Sequence, residues 1–266
     1  MTRFAAFVAF VTSAAVASAD PTTVLDTAAN GRLFDTHFGR YGPRPTRVVT
    51  REAKGVRLKL PAEAKGAKPT GLYSYFALAG DFEVAAAYEV IDVPEPTAGY
   101  GAGFGLAVET KGPDGDVTVR RGQWKGEGSG VQVVRGRPDA AGVMGYEATF
   151  FPTKAKKGRV VLRREKAELV VRTSDSPTGE PTELTRVPFT DKTIRTLLVF
   201  ADSGGSPTVV DGRLTGLTVT AGEITGGIPE RDRDHTPWWV IAVAVALAVV
   251  IGVVIWRRVV RRRKAE

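Results

Sequence analysis

GYGAGFGLAVET, residues 99–110, sets glycines at every second position, Gly99, Gly101, Gly103 and Gly105, and then continues as an apolar run to Val108. A dinucleotide-binding loop needs a strand before its glycines, a helix after them and an acidic residue about 20 positions on. Here Val93-Pro94-Glu95-Pro96-Thr97 precedes the glycines and a strand pattern runs straight through them. The stretch reads as a β-strand. A glycine- and aromatic-rich RNA-recognition strand would open on a basic residue, which is missing. Side chains alternate between the two faces of a strand. Gly99, Gly101, Gly103 and Gly105 are therefore expected on one bare face, with Tyr100, Ala102, Phe104, Leu106 and Val108 on the other.

The run before it, FEVAAAYEVI (82–91), alternates in the same way: Phe82, Val84, Ala86, Tyr88 and Val90 inward, Glu83, Ala85, Ala87 and Glu89 opposite. A hairpin across 94–98 would join Ala85, Ala87, Gly103 and Gly105 in one smooth patch, open to a ligand, a further sheet layer or a loop. Trp124, in RGQWKGEGSG, is an aromatic residue in a polar, glycine-rich setting. It either stacks on a sugar or covers a sheet edge. The candidate ligand-face residues are thus Gly99, Gly101, Gly103, Gly105, Ala85, Ala87 and Trp124.

Period two dominates the rest of the region between 20 and 222. VRLKL (56–60), VTVRR (117–121), VQVVR (131–135), YEATFF (146–151), RVVLRRE (159–165), ELVVRT (168–173), TLLVF (196–200) and LTGLTVT (214–220) are short alternating or apolar runs. PDGD (113–116), SPTG (176–179) and DSGG (202–205) supply turn chemistry between them. No segment there keeps a helical period for ten residues, and no repeat of fixed length appears. The pattern predicts an all-β, two-sheet antiparallel sandwich or jelly roll of ten to fourteen strands.

The two ends carry targeting signals. Met1-Thr2-Arg3, an apolar run over 4–17 and the A-x-A site Ala17-Ser18-Ala19 read as a secretory signal peptide of residues 1–19. Residues 238–256, WWVIAVAVALAVVIGVVIW, carry no charge and at 1.5 Å per residue span roughly 28 Å as a helix. Trp238, Trp239 and Trp256 stand at its ends, and Arg257 and Arg258 begin a basic tail, 257–266. Interfacial tryptophans and basic flanks mark a transmembrane helix with its tail in the cytoplasm. The expectation is an exported sandwich (20–222), a charged, Gly- and Pro-containing stalk (223–237), one C-terminal transmembrane α-helix in membrane lipid, and a cytoplasmic tail. The protein is then a single-pass protein of the cell membrane with its N-terminal domain outside.

Composition narrows the chemistry. The chain has 266 residues, no cysteine, two histidines and a net charge of +8. Disulfides, thiolate metal sites and cysteine nucleophiles are excluded, and His37 and His235 are too isolated for a histidine cluster. Much of the positive charge lies in Arg257, Arg258, Arg261, Arg262, Arg263 and Lys264, leaving a nearly neutral body without the basic footprint of a nucleic-acid binder. Glu83 and Glu89 lie about 20 Å apart along one strand, too far for a glycosidase pair. Glu109 reaches Glu83 or Asp81 if the hairpin forms. Asp114 and Asp116 fit a hairpin turn better than a calcium loop, and Asn30 makes no glycosylation sequon. No metal site, cofactor or catalytic constellation is expected.

GLYSYFALAGDFEVAAAYEVIDVPEPTAGYGAGFGLAVET (71–110), together with VFADSGGSPTVVDGRLTGLTV (199–219), resembles a planctomycete family of exported proteins known only as a domain of unknown function. The resemblance runs over about residues 30–220, with GDFEV, the glycine strand and ADSGGSP its most specific parts. It implies a concanavalin-like or laminin-G-like jelly roll and brings no catalytic residues with it. The sequence thus points to an exported, membrane-anchored, non-catalytic module that binds carbohydrate or protein at the cell envelope. A sandwich-fold hydrolase and a structural envelope protein are the alternatives.

Overall fold

The computed structural model describes residues 22–26, 36–63, 68–110 and 115–226. The segments expected to be a signal peptide (1–19), a transmembrane span with Trp238, Trp239 and Trp256, and a cytoplasmic tail with Arg257 and Arg258 lie outside them. Among the described residues no helix is long and apolar enough to cross a membrane.

The described chain forms two antiparallel sheets. In chain order the strands are β1 (Thr22–Asp26), β2 (Phe38–Tyr41), β3 (Val49–Glu52), β4 (Gly55–Leu60), β5 (Thr70–Ser74), β6 (Phe76–Asp92), β7 (Ala102–Glu109) and β8 (Asp116–Trp124). They continue with β9 (Gly128–Pro138), β10 (Met144–Pro152), β11 (Lys157–Glu165), β12 (Glu168–Ser174), β13 (Thr182–Pro188), β14 (Thr196–Asp202) and β15 (Val210–Gly226). One helical turn, α1 (Pro45–Val48), precedes β3. Sheet A has the order β13-β12-β11-β6-β15-β4-β3, with β1 also on β15; sheet B has the order β10-β9-β8-β7-β14-β5-β2. The two-sheet antiparallel sandwich expected from period two is the fold observed.

Alternation positions the core. Phe82, Val84, Ala86 and Tyr88 of β6 and Leu162 of β11 face Ala102, Phe104, Leu106 and Val108 of β7 and Val119 of β8 across the sandwich. Tyr88 and Phe104 meet edge to face across the sheets, with centroids 6.1 Å apart. Two arginines take inward positions where the pattern would place an apolar side chain. Arg164 on β11 is 1% exposed, and its guanidinium lies 4.9 Å over the Phe82 ring while donating to the carbonyls of Gly80, Thr190 and Lys192. Arg121 on β8 donates to the carbonyls of Gly122, Gly130 and Ala155 and to Ser129 Oγ. Both cations are held by oxygens at the rim of the core, which offsets their desolvation.

The expected hairpin does not form. β6 belongs to sheet A and β7 to sheet B, and residues 93–101 carry the chain between them. Ala85 and Ala87 therefore lie on the outer face of sheet A, beside Thr218 and Gly216 of β15, away from Gly103 and Gly105. Glu109 is separated from Glu83 and Asp81 for the same reason. Glu89 instead pairs with Arg213 at 2.5 Å and with Lys157 at 3.2 Å. β15 also runs four residues beyond position 222, where Glu223, Ile224, Thr225 and Gly226 pair with Ala79, Leu78, Ala77 and Phe76.

Candidate functional site

The outer face of sheet B is built in rows by the strand registers. One row reads Tyr146, Gly136, Asp116, Glu109 and Thr196 across β10, β9, β8, β7 and β14. Two residues along each strand come Ala148, Val134, Thr118, Ala107 and Leu198, and two further come Phe150, Gln132, Arg120, Gly105 and Phe200. Gly122, Gly103 and Asp202 follow on β8, β7 and β14. Gly103 and Gly105 thus share one outward face, as the sequence suggests.

What lies over that bare backbone is an ion pair. Arg120 and Asp202 stand on the strands either side of β7, and Arg120 Nη1 reaches Asp202 Oδ2 at 3.1 Å. Because Gly105 and Gly103 are their register partners, the bridge crosses β7 where no side chain stands in its way. Arg120 Nη2 also donates to Gln132 Oε1 at 2.5 Å. Both partners of the ion pair are 5% exposed. Burial lowers the Arg120 pKa, and the facing Asp202 carboxylate opposes that effect. Arg120 Nε, buried as well, has no hydrogen-bond partner.

Gly99 and Gly101 lie ahead of the strand. Both take positive φ, 76° and 102°, which frees them from alternation. Gly99 sits so close to the 203–206 turn that a Cβ on it would stand 1.9 Å from the Gly204 carbonyl oxygen. Tyr100 N–H donates to that same oxygen at 3.0 Å. The two glycine turns thereby pack backbone against backbone, and Tyr100, expected inward, turns outward. Its ring is 59% exposed and stands 5.2 Å from the Arg120 guanidinium, and its hydroxyl donates to Asp202 Oδ2 at 3.0 Å. Burial of that hydroxyl and then the Asp202 charge push its pKa up to about 12.

Trp124 is the cover rather than an exposed platform. It is 4% exposed, meets Phe150 edge to face at 5.2 Å, and occupies the space a Cβ on Gly101 would need.

These groups surround a cleft of about 530 Å³. Its floor holds Arg120, Gln132 and Asp202, its apolar side Val134, Ala148 and Phe200, and its rim Tyr100 and Tyr146, which is 66% exposed. Asp116 and Thr118 close one end. Glu109 lies beside Asp116 in the register. Burial raises both carboxyl pKa values, and for Glu109 the neighbouring Asp116 adds to the rise. Tyr41, on β2, is raised by burial and then by Glu109 and Asp202. Among the described residues no group of three or more His, Asp or Glu is placed to hold a metal ion.

The model for the "Protein of unknown function (DUF1583) C domain" matches residues 14–235. The chain belongs to this family. No curated protein sequence matches this DUF1583 chain. Among solved structures, a legume lectin-like domain from Entamoeba histolytica is similar at 12% identity, covering 70% of this chain and 90% of its own, with a TM-score of 0.49. A glycosyl hydrolase family protein from Mycobacterium fortuitum is similar at 14% identity over 69% of this chain and 91% of its own, TM-score 0.48. An immunostimulatory antigen and pseudo β-1,3-glucanase of Mycobacterium tuberculosis is similar at 11% identity over 70% and 91%, TM-score 0.48.

Of the candidates read from the sequence, Gly103 and Gly105 lie under the cleft, Gly99 and Gly101 shape its turn, Trp124 backs it, and Ala85 and Ala87 lie on the other sheet. Arg120, Gln132, Asp202, Tyr100 and Tyr146 were not picked out. The available signal was a polar residue at an alternating position facing a glycine in the next strand.

Proposed function

We propose that this DUF1583 chain is an exported, single-pass membrane protein whose sheet B cleft binds a glycan without cleaving it. The observation that carries this reading is a pair of exposed tyrosines, Tyr100 and Tyr146, standing over a floor of polar groups already fixed by one another. Aromatic rings offer flat apolar area at low entropic cost, with a polar tip for hydrogen bonding. A sugar ring has the complementary character, with apolar C–H faces and hydroxyls around its edge. Arg120, Gln132 and Asp202 hold one another, so their orientation is set before a ligand arrives. The signal peptide, span and basic tail read from the sequence would hold the domain outside the cell, and protease protection of the tail in sealed vesicles tests that topology.

Titration of the detergent-solubilised full chain with a panel of neutral and charged oligosaccharides tests the binding. Saturable binding that falls at least tenfold in Tyr100→Ala and Tyr146→Ala, with unchanged circular dichroism, supports the reading. A panel in which nothing saturates overturns it, and release of shorter sugars overturns its non-catalytic part.

A further inference from the structure

Resting on the glycan reading of the cleft, the charges around it narrow the ligand's chemistry. Arg120 is the cation that lines the cleft among the described residues, and its charge is already taken by Asp202 at 3.1 Å. Asp116 lines the end of the cleft and Glu109 stands beside it on β7, both half-buried; Asp116 takes a hydrogen bond from the Thr118 side chain, Glu109 feels the Asp116 charge, and no cation acts on either one among the described residues. Like charges opposite one another in adjacent strands destabilise a sheet, and partial burial adds a desolvation cost to each ionised carboxylate. A third carboxylate, Asp202, lies on the same face. The ligand that satisfies this arrangement brings a positive charge to the Asp116 end and hydroxyls to the other end, where Arg120, Gln132 and Asp202 line the floor.

We infer that the cleft selects an amino sugar, seating a protonated hexosamine ammonium against Glu109 and Asp116. Gly136 lies between Tyr146 and Asp116 in the same row, and having no side chain it lets the Asp116 carboxylate lean over it toward the strand of Tyr146, with Oδ1 2.1 Å from where a Cβ would stand. A sugar stacked on that ring has its amine within reach of the pair. Asp116 and Arg120 are four residues apart, about 13 Å along the strand, which calls for an oligosaccharide rather than a single ring. Uronic or sulfated sugars are disfavoured, since they add negative charge beside Asp116 and Glu109 in a cleft whose lining cation among the described residues, Arg120, is already paired with Asp202.

The test compares glucosamine hexamer with a glucose hexamer of the same linkage, titrated calorimetrically into the full chain at a pH where the amine is protonated. The expected result is at least tenfold tighter binding of the glucosamine hexamer. The ratio of the two dissociation constants should fall below two in the Glu109→Gln, Asp116→Asn double variant, and to an intermediate value in Glu109→Gln alone. Equal affinities in the native chain overturn the amine preference while leaving the glycan reading standing. A ratio that survives in the variants overturns the assignment to this pair. Binding of neither hexamer, nor of any other sugar, overturns both.

Discussion

Arg120 concentrates the energetics of the site, because one side chain neutralises Asp202, fixes Gln132 and stacks beneath Tyr100. Removing one partner of a buried ion pair leaves the other charge uncompensated and costs about 3–5 kcal/mol. Arg120→Ala is expected to destabilise the protein by that amount in urea titration, whereas an exposed residue such as Lys154 changed to alanine moves it by less than about 0.5 kcal/mol. Glu109 behaves oppositely. Its folded-state pKa is raised, by burial first and then by Asp116, so the folded protein holds that proton more tightly than the unfolded chain. Below the unfolded pKa the carboxyl is protonated in both states and costs nothing. As pH rises through the unfolded and then the folded value, stability is lost, and the full cost is present at neutral pH. Glu109→Gln is therefore expected to raise the thermal midpoint at pH 7 and to leave it unchanged at pH 3. A variant less stable than the native chain at pH 7 would contradict the assignment. Neither role was legible beforehand, since a charged residue in an alternating strand has the same sequence signature whether it faces water or an ion-pair partner two strands away.

At the scale of the element, the glycine strand separates what local pattern determines from what it does not. Alternation correctly placed Ala102, Phe104, Leu106 and Val108 inward and Gly103 and Gly105 outward, because a strand's period is fixed by its backbone. The pattern failed at Gly99, Tyr100 and Gly101, where positive φ at two glycines breaks the alternation and turns the tyrosine out. It also failed over the hairpin, since residues 93–101 are long enough either to reverse within one sheet or to cross to the other, and only packing decides between them. β2, β3, β5 and β13 went unread because they are short or lack clean alternation. The glycines in the middle of β7 answer to close approach instead of conformational freedom. A Cβ on Gly105 would stand 1.9 Å from the Val119 carbonyl oxygen and 2.9 Å from the Arg120 Cα, both backbone of β8. Gly105→Ala must push the two strands apart, with an expected cost of about 1–3 kcal/mol by overpacking. Gly216→Ala on β15 is the matched control. Its added Cβ meets only Ala87 Cβ at 3.8 Å, so that variant is expected to be neutral or more stable by up to about 1 kcal/mol. Equal losses in the two variants, measured by denaturant unfolding, would refute the close-approach account.

Across the whole molecule, the two sheets depend on one core and neither closes on local contacts. β6 and β15 lie side by side in sheet A through pairs such as Phe82 with Ala221, which bring together distant parts of the chain, and β14 reaches back in the same way to β5 and β7 in sheet B. Their inward faces interdigitate, as Tyr88 and Phe104 show, so loosening one sheet removes packing from the other. Sheet A should therefore report on sheet B. Leu162 on β11 is fully buried, and its truncation to alanine removes apolar volume that rigid strands cannot fully reclaim, at about 2–5 kcal/mol. Trp124 lies on the opposite sheet, ringed by Phe150, Gly101 and Arg120. In Leu162→Ala, the near-ultraviolet dichroism that Trp124→Phe identifies as belonging to Trp124 is expected to shift to lower denaturant by the same amount as the far-ultraviolet signal of the strands. Such coincidence is the signature of a single cooperative unit. If the Trp124 signal held its native midpoint while the strand signal moved, the sheets would be independent, and the cleft on sheet B would owe nothing to the core beneath it.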